Sequence, residues 1–289
     1  MAQTSAPADW PAAASPLVAE ALQAPPRPAR VLAAFPTALY LQLDRHELVL
    51  PVLTEDALRL PTGLRLALPA REIAWGVEPG SHVSVGGGRV HLPDRDVVAV
   101  RAWRPARVTA AAQPLDASAL ARSVRAVDTS TEGAVLRELT ADLTRTALVT
   151  PVPSGRLARL TAGLVGAGHG LTPSGDDALC GVLLALRAVG APAQALAAVS
   201  AAVTRSLAAT TSLSASLLLA AAAGCAVPEV ATLANAVSRG DEAGIDEVLP
   251  AVLAIGHSSG ADLLAGLAGA LDALIQTTHH TEPEGARRA

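Results

Sequence analysis

The hydrophobic pattern of this chain changes its period once, near residue 104, and that change requires two differently built parts. Ahead of it, short apolar runs are broken by turn residues. Runs at 31–35, 39–43, 47–53 and 64–68 read as strands, and 82–85 with 89–92, joined across Gly86, Gly87 and Gly88, read as a hairpin. A last run, 97–103, closes a mainly β domain over 31–103. Residues 104–116, with two prolines and several alanines, read as a linker. Beyond it, Ala and Leu recur at helical spacing over 117–127, 131–148, 156–165, 176–189, 193–207, 212–223, 230–238, 245–255 and 261–275. Strands followed by a block of helices predict an α+β chain: an N-terminal mainly β domain, then an all-α domain over 117–276. The Pro/Ala-rich stretch 1–30 reads as a flexible lead-in, and 277–289 as a disordered tail.

Composition limits what can fill and use such a fold. Hydrophobic residues make up 51% and aromatics 2%, so the core is built from Ala, Leu and Val. Small side chains of that kind let helix backbones approach closely. All 22 basic residues are arginine, which excludes a Schiff-base lysine, a P-loop lysine and a lysine general base. A net charge of −4 with scattered arginines and few aromatics argues against nucleic acid as a partner. Cys180 and Cys225 both lie in apolar, helix-like surroundings and read as buried thiols rather than a disulfide framework. The N-terminus lacks a basic region followed by an apolar core. The uncharged stretch 207–227 is mostly Ala, Ser and Thr and reads as a buried helix, not a membrane span. A cytoplasmic protein is expected.

The polar signal concentrates in two glycine-rich turns, each opening a helix. The first runs Gly166-Ala-Gly168-His-Gly170-Leu-Thr-Pro-Ser174-Gly-Asp-Asp177, and its alternating glycines permit positive φ and close approach to a ligand. Thr172 with Pro173, or Ser174 with Asp177 three residues on, would cap the helix. The second turn contains Gly256-His257-Ser258-Ser259-Gly260-Ala-Asp262. Placed 85 residues apart, the two share S-G-x-D-x-L-x-G, which aligns Ser174 with Ser259, Asp177 with Asp262 and Gly181 with Gly266. In both copies the acid lies four residues before the glycine, on one helix face. The first turn is neither a dinucleotide fingerprint, since Leu171 replaces the third glycine, nor a Walker loop, which needs a lysine.

Two helix N-termini suit a small anion, with Gly170, Thr172, Ser174, Gly175, Ser258, Ser259 and Gly260 as its contacts. Asp176, Asp177 and Asp262 would repel that anion unless they cap their helices, hold an arginine or a Mg²⁺ that meets it, or accept N–H bonds from an amide or carbamoyl group. No cofactor is required by the pattern, and Mg²⁺ is the one candidate. His257 is the residue best suited to proton transfer near neutral pH, with His169 behind it. Thr210 and Ser214, read as one helical turn apart, could line the same pocket with hydroxyls or bond back to their own helix. In the plainer alternative both turns are only well-capped helix starts.

The motifs GLTPSGDD at 170–177, the hydroxyl segment at 210–214 and GHSSGADLLAG at 256–266 together resemble the AllH-like family, a component of oxamate carbamoyltransferase in allantoin breakdown. The likeness covers the helical half in fixed order, whereas the β half matches in texture only. His169 stands where many relatives are expected to carry proline. The resemblance implies a subunit of a complex that converts oxalurate and phosphate to oxamate and carbamoyl phosphate, beside an acyl-CoA-synthetase-like partner subunit. On that reading Asp177, Asp262 and His257 are the catalytic candidates, and the substrate is a small carbamoyl or carboxylate anion. Two rivals stand beside it: a non-catalytic subunit that senses a ligand or serves assembly, and a purely structural helical subunit.

Overall fold

The computed structural model describes residues 9–43, 49–112, 117–127 and 133–281. It divides into two compact units, Met1–Ala106 and Arg107–Ala289.

The first unit is a closed eight-stranded barrel. Its strands are β1 (Trp10–Ala14), β2 (Arg27–Phe35), β3 (Ala38–Gln42), β4 (Val49–Leu53), β5 (Leu64–Leu66), β6 (His82–Gly86), β7 (Arg89–His91) and β8 (Asp96–Ala102), with a short helix α1 (Ala19–Gln23) between the first two. Around the barrel they run β1-β5-β4-β3-β2-β6-β7-β8, and β1 pairs in parallel with β8 to close the ring. Leu39, Leu41, Leu64, Leu66, Ala12 and Ala14 point inward into one apolar core. The glycine hairpin forms as its sequence requires. Gly86 pairs with Arg89, leaving Gly87 (φ 58°) and Gly88 (φ 78°) as a two-residue turn that needs positive φ at both places.

Two expectations for this part are corrected. The supposed lead-in 1–30 contributes β1, α1 and the start of β2, and Trp10 is buried edge-to-face against Trp75 at 5.9 Å. The reason is closure: β1 pairs with both β5 and β8, and without it two sheet edges would stand open. The linker 104–116 is likewise tied down over part of its length. Val108 N–H donates to the Gly224 carbonyl, Thr109 N–H to the Asn235 side chain and Ala111 N–H to the Ala188 carbonyl. Residues 113–116 of that stretch lie outside the described residues.

The second unit is built from α2 (Ala117–Val127), α3 (Ala134–Leu148), α4 (Ser154–Leu164), α5 (Ser174–Ala188), α6 (Ala193–Ser206), α7 (Ser212–Ala222), α8 (Pro228–Arg239), α9 (Glu242–Leu253) and α10 (Ser259–Thr281), with a two-residue strand at Cys225–Ala226. The last helix continues through Thr281, five residues into the stretch read as a disordered tail, while 282–289 lie outside the described residues. No helix among the described residues is long and apolar enough to cross a membrane. α5 and α10 form the centre. α5 is buried along almost its whole length, and α10 buries Leu264, Leu267, Ala268, Ala270, Leu271 and Ala273. Glycines make this contact possible. A Cβ on Gly181 would overlap the Leu263 carbonyl, and one on Gly266 would overlap the Ala178 carbonyl. Leu263 lies 85 residues after Ala178, the offset that relates the two glycines, so the helices cross as mutual equivalents. On another side of α10, Gly269 lies against the Arg137 carbonyl of α3, and Arg137 grips Asp272 with two bonds of 2.6 and 3.2 Å.

Candidate functional site

Both glycine turns fold back a helix and release the next from nearly the same place. A Cβ on Gly175 would overlap the carbonyl of Leu164, the last residue of α4, and one on Gly260 would overlap that of Val252 near the end of α9. Gly166, Gly168 and Gly170 all adopt positive φ (76°, 119° and 90°), which carries the chain from α4 round to Pro173. The two starts meet: the Thr172 and Ser259 hydroxyls are hydrogen-bonded at 3.0 Å.

The local capping differs from the expectation. Pro173 is the residue ahead of α5 and no side chain caps it, so neither Thr172 nor Ser174 fills that role. The first amides are bonded to carbonyls instead: Gly175 to Ala167 at 2.8 Å, Asp176 and Asp177 to Pro173 at 2.9 and 3.2 Å. At α10, Gly260 N–H donates to Ile255 and Asp262 N–H to Ser258. These five donors face inward, contrary to the picture of loop amides pointing out at a ligand. The helix dipoles still make both starts positive.

The carboxylates divide into two kinds. Asp176 is 1% exposed and serves as a clasp, one oxygen accepting the Gly166 N–H at 2.9 Å and the other the Thr210 hydroxyl. Asp177, one residue on, is 7% exposed, and its Oδ2 has no hydrogen-bond partner among the described residues. Burial pushes its pKa up to about 7. The nearby Ser259 and Thr172 hydroxyls hold it down, while the Asp262 and Asp176 charges push it up further. Asp262 is half-buried, and its Oδ2 likewise has no partner. The result is an acid pair carrying two open acceptors between two positive helix starts, with two hydroxyls fixed beside it. Near neutral pH Asp177 can hold or release a proton. Among the described residues no group of three or more His, Cys, Asp or Glu side chains could hold a metal ion.

Of the residues singled out by sequence, Thr172, Asp177, Ser259 and Asp262 come together here, with Gly175 and Gly260 buried beneath them and Ser174 half-buried at the start of α5. Gly170, Ser258 and His257 are exposed in the turns, and a Cβ on Gly170 would meet only open space. Thr210 and Ser214 do not share a helix face, which corrects the expectation. Thr210 is extended (φ −123°, ψ −178°) ahead of α7, and only Ser214 is helical. Between them Thr211 does what sequence reading missed. Its hydroxyl donates to the Leu171 carbonyl at 2.5 Å and caps α7 by accepting the Ser214 N–H at 3.0 Å. A hydroxyl three residues ahead of Ser214 at a helix start was the available signal. Cys180, one turn beyond Asp176, is buried and free, and burial first and the neighbouring acids second raise its thiol pKa well above the usual range.

The family model for oxamate carbamoyltransferase subunit AllH matches residues 164–271, which takes in both glycine turns, α5 to α9 and over half of α10. Over that span the chain resembles this family, as the motifs indicated. No curated protein and no solved structure matches the chain.

Proposed function

We propose that this AllH-like chain is a subunit of a carbamoyltransferase complex, and that the paired starts of α5 and α10 hold the carbamoyl or amide end of a small carboxylate substrate. The reaction that fits is oxalurate plus phosphate giving oxamate plus carbamoyl phosphate. One observation carries the reading: the buried Asp177, beside Asp262, keeps an open oxygen at the junction of two helix starts. A buried acceptor without a donor is costly, and an N–H₂ group of a carbamoyl ligand would satisfy it. With five first-turn amides already bonded inward, recognition falls to the two acids and to the Thr172 and Ser259 hydroxyls. The anionic end of the substrate gains from the two helix dipoles, with Ser174, Ser258 and His257 at the rim. In the reaction a phosphate oxygen bonds to the carbamoyl carbon, the carbon–nitrogen bond breaks, and the oxamate nitrogen gains a proton. A carboxyl group titrating near pH 7 suits that delivery.

Calorimetric titration of the folded chain with oxalurate and oxamate, followed by assay of the reconstituted complex, tests the proposal. Asp177→Asn is expected to weaken binding at least tenfold without lowering the melting temperature. Unchanged affinity would remove the site. A second reading, a sensing or assembly subunit, draws on Leu171 and Leu253, each 38% exposed and flanking the two turns, as a rim for a partner chain. Full turnover of the complex carrying Asp177→Asn, with ligand binding lost, would favour that reading over catalysis. If neither ligand raises the melting temperature, only a structural role remains. A ligand at 100 times its Kd adds about 2.7 kcal/mol.

A further inference from the structure

The barrel unit carries a second polar feature, and it is opposite in sign. Arg65 of β5 and Arg101 of β8 are both register partners of Ala13 in the strand between them. Ala12 and Ala14 face the core, as do Leu64 and Leu66 on either side of Arg65, so Ala13 and Arg65 face away from it, and a register shift between Ala12 and Ala13 brings the exposed Arg101 opposite Ala13. The two arginines, Arg65 half-buried and Arg101 exposed, therefore stand two strand spacings apart, about 10 Å, with the buried Ala13 between them. Arg59 adds a third cation, and the charges of Arg59 and Arg101 hold the Arg65 pKa down once burial has begun to lower it. None of the three makes a salt bridge with an acid among the described residues, whereas Arg71, Arg89, Arg122, Arg137, Arg145, Arg156 and Arg239 each do. Arg65 is also held in place. Its guanidinium lies over the Trp103 ring, 5.2 Å from the centroid, and that ring is fixed by an indole N–H bond of 3.0 Å to the Gly63 carbonyl. The ring covers one side of the guanidinium, and among the described residues no hydrogen bond engages its N–H groups, which can grip an oxyanion with two parallel bonds.

We propose that Arg65 and Arg101, with Arg65 fixed on Trp103, form an anion site on the outer wall of the barrel for a ligand bearing phosphate groups of two or more negative charges, with Arg59 of the loop before β5 adding to its positive charge. A single carboxylate would leave most of the cationic charge uncompensated. A phosphate or diphosphate group offers several oxygens to more than one guanidinium at once. The site is independent of the acid pair between α5 and α10.

Titration of the full-length chain with inorganic pyrophosphate at low salt tests the inference, with sodium sulfate at equal ionic strength as a control for screening. Saturable binding at one site is expected, weakened at least tenfold by Arg65→Gln and by Arg101→Gln. Arg71→Gln, an exposed arginine of the same unit already paired with Glu72, should leave it unchanged. Circular dichroism melts check that each variant is folded, and Arg101 is exposed enough for its loss to be harmless to the fold. Equal weakening by Arg71→Gln, indifference to Arg65→Gln and Arg101→Gln, or no saturation would overturn the proposal. So would binding of an acidic peptide alone, which would mark the patch as a protein-docking face. Asp177→Asn is expected to leave pyrophosphate binding intact, so failure here and failure of the carbamoyl site are separable.

Discussion

The starts of α5 and α10 share five residues in eight, cross through equivalent glycines and rest on equivalent carbonyls, yet their acids are buried to different degrees. Asp177 is buried and titrates near 7, whereas Asp262 is half-buried. Only the first copy has an extra acid, Asp176, to bind its turn to Thr210. Local sequence thus sets the turn and the crossing, while the surroundings decide which carboxylate is kept out of water. A duplicated motif does not imply duplicated chemistry.

The comparison can be broken at the crossing itself, where the largest effect is expected. Gly181→Val and Gly266→Val each drive a side chain into a backbone carbonyl, so each should cost about 3 kcal/mol or more in urea unfolding. Because the two glycines face the same crossing, the double variant should fall well short of the sum. Additive losses would mean that the helices do not share one contact.

Removing the clasp comes next. Asp176→Ala leaves the Gly166 N–H and the Thr210 hydroxyl without their acceptor, at an expected cost of about 2 kcal/mol. Asp177→Ala should cost less, although the two residues are adjacent and similarly buried. Equal losses would erase the distinction between a structural acid and a free one.

The pH dependence sharpens it further. Asp177 has a folded pKa of about 7 against an unfolded value near 3.8, so the folded chain binds the extra proton between those limits. Its contribution to stability is present in full below pH 3.8 and is lost as pH rises through 7. Asp177→Asn, which cannot ionise, should therefore melt several degrees above the parent at pH 8, by less at pH 5, and close to it only below about pH 4. Thermal melts across that range check this, and a parent whose stability rises from pH 5 to 8 relative to the variant would contradict the buried acid.

The smallest effect belongs to the partner acid. Asp262→Asn removes a charge that pushes Asp177 upward, so the carboxyl titration of Asp177, followed by infrared or NMR, should move below 7. No movement would show the two acids to be uncoupled.

Much of this was legible in advance where the signal is local. The hairpin at Gly87 and Gly88, the helix pattern after residue 117 and the two Ser-Gly-x-Asp starts all follow from backbone preference and periodicity over a few residues. Misreadings occurred where distant partners decide. Trp10–Ala14 has a loose composition but closes a ring between β5 and β8. Thr210 lies four residues ahead of Ser214, a helical turn by spacing, yet the clasp from Asp176 holds it extended outside the helix.

The order of residues by itself determined where the chain turns, which stretches coil into helices, and that two of those helices begin alike, because these are contests among near neighbours. Only the tertiary structure decided that Asp177 is buried while Asp262 is half-buried. It also decided that five helix amides are spent on carbonyls and that Arg65 and Arg101 come to flank Ala13 on neighbouring strands of a barrel. Desolvation and unbalanced charge are properties of a place, and a place is made by segments that lie far apart along the chain.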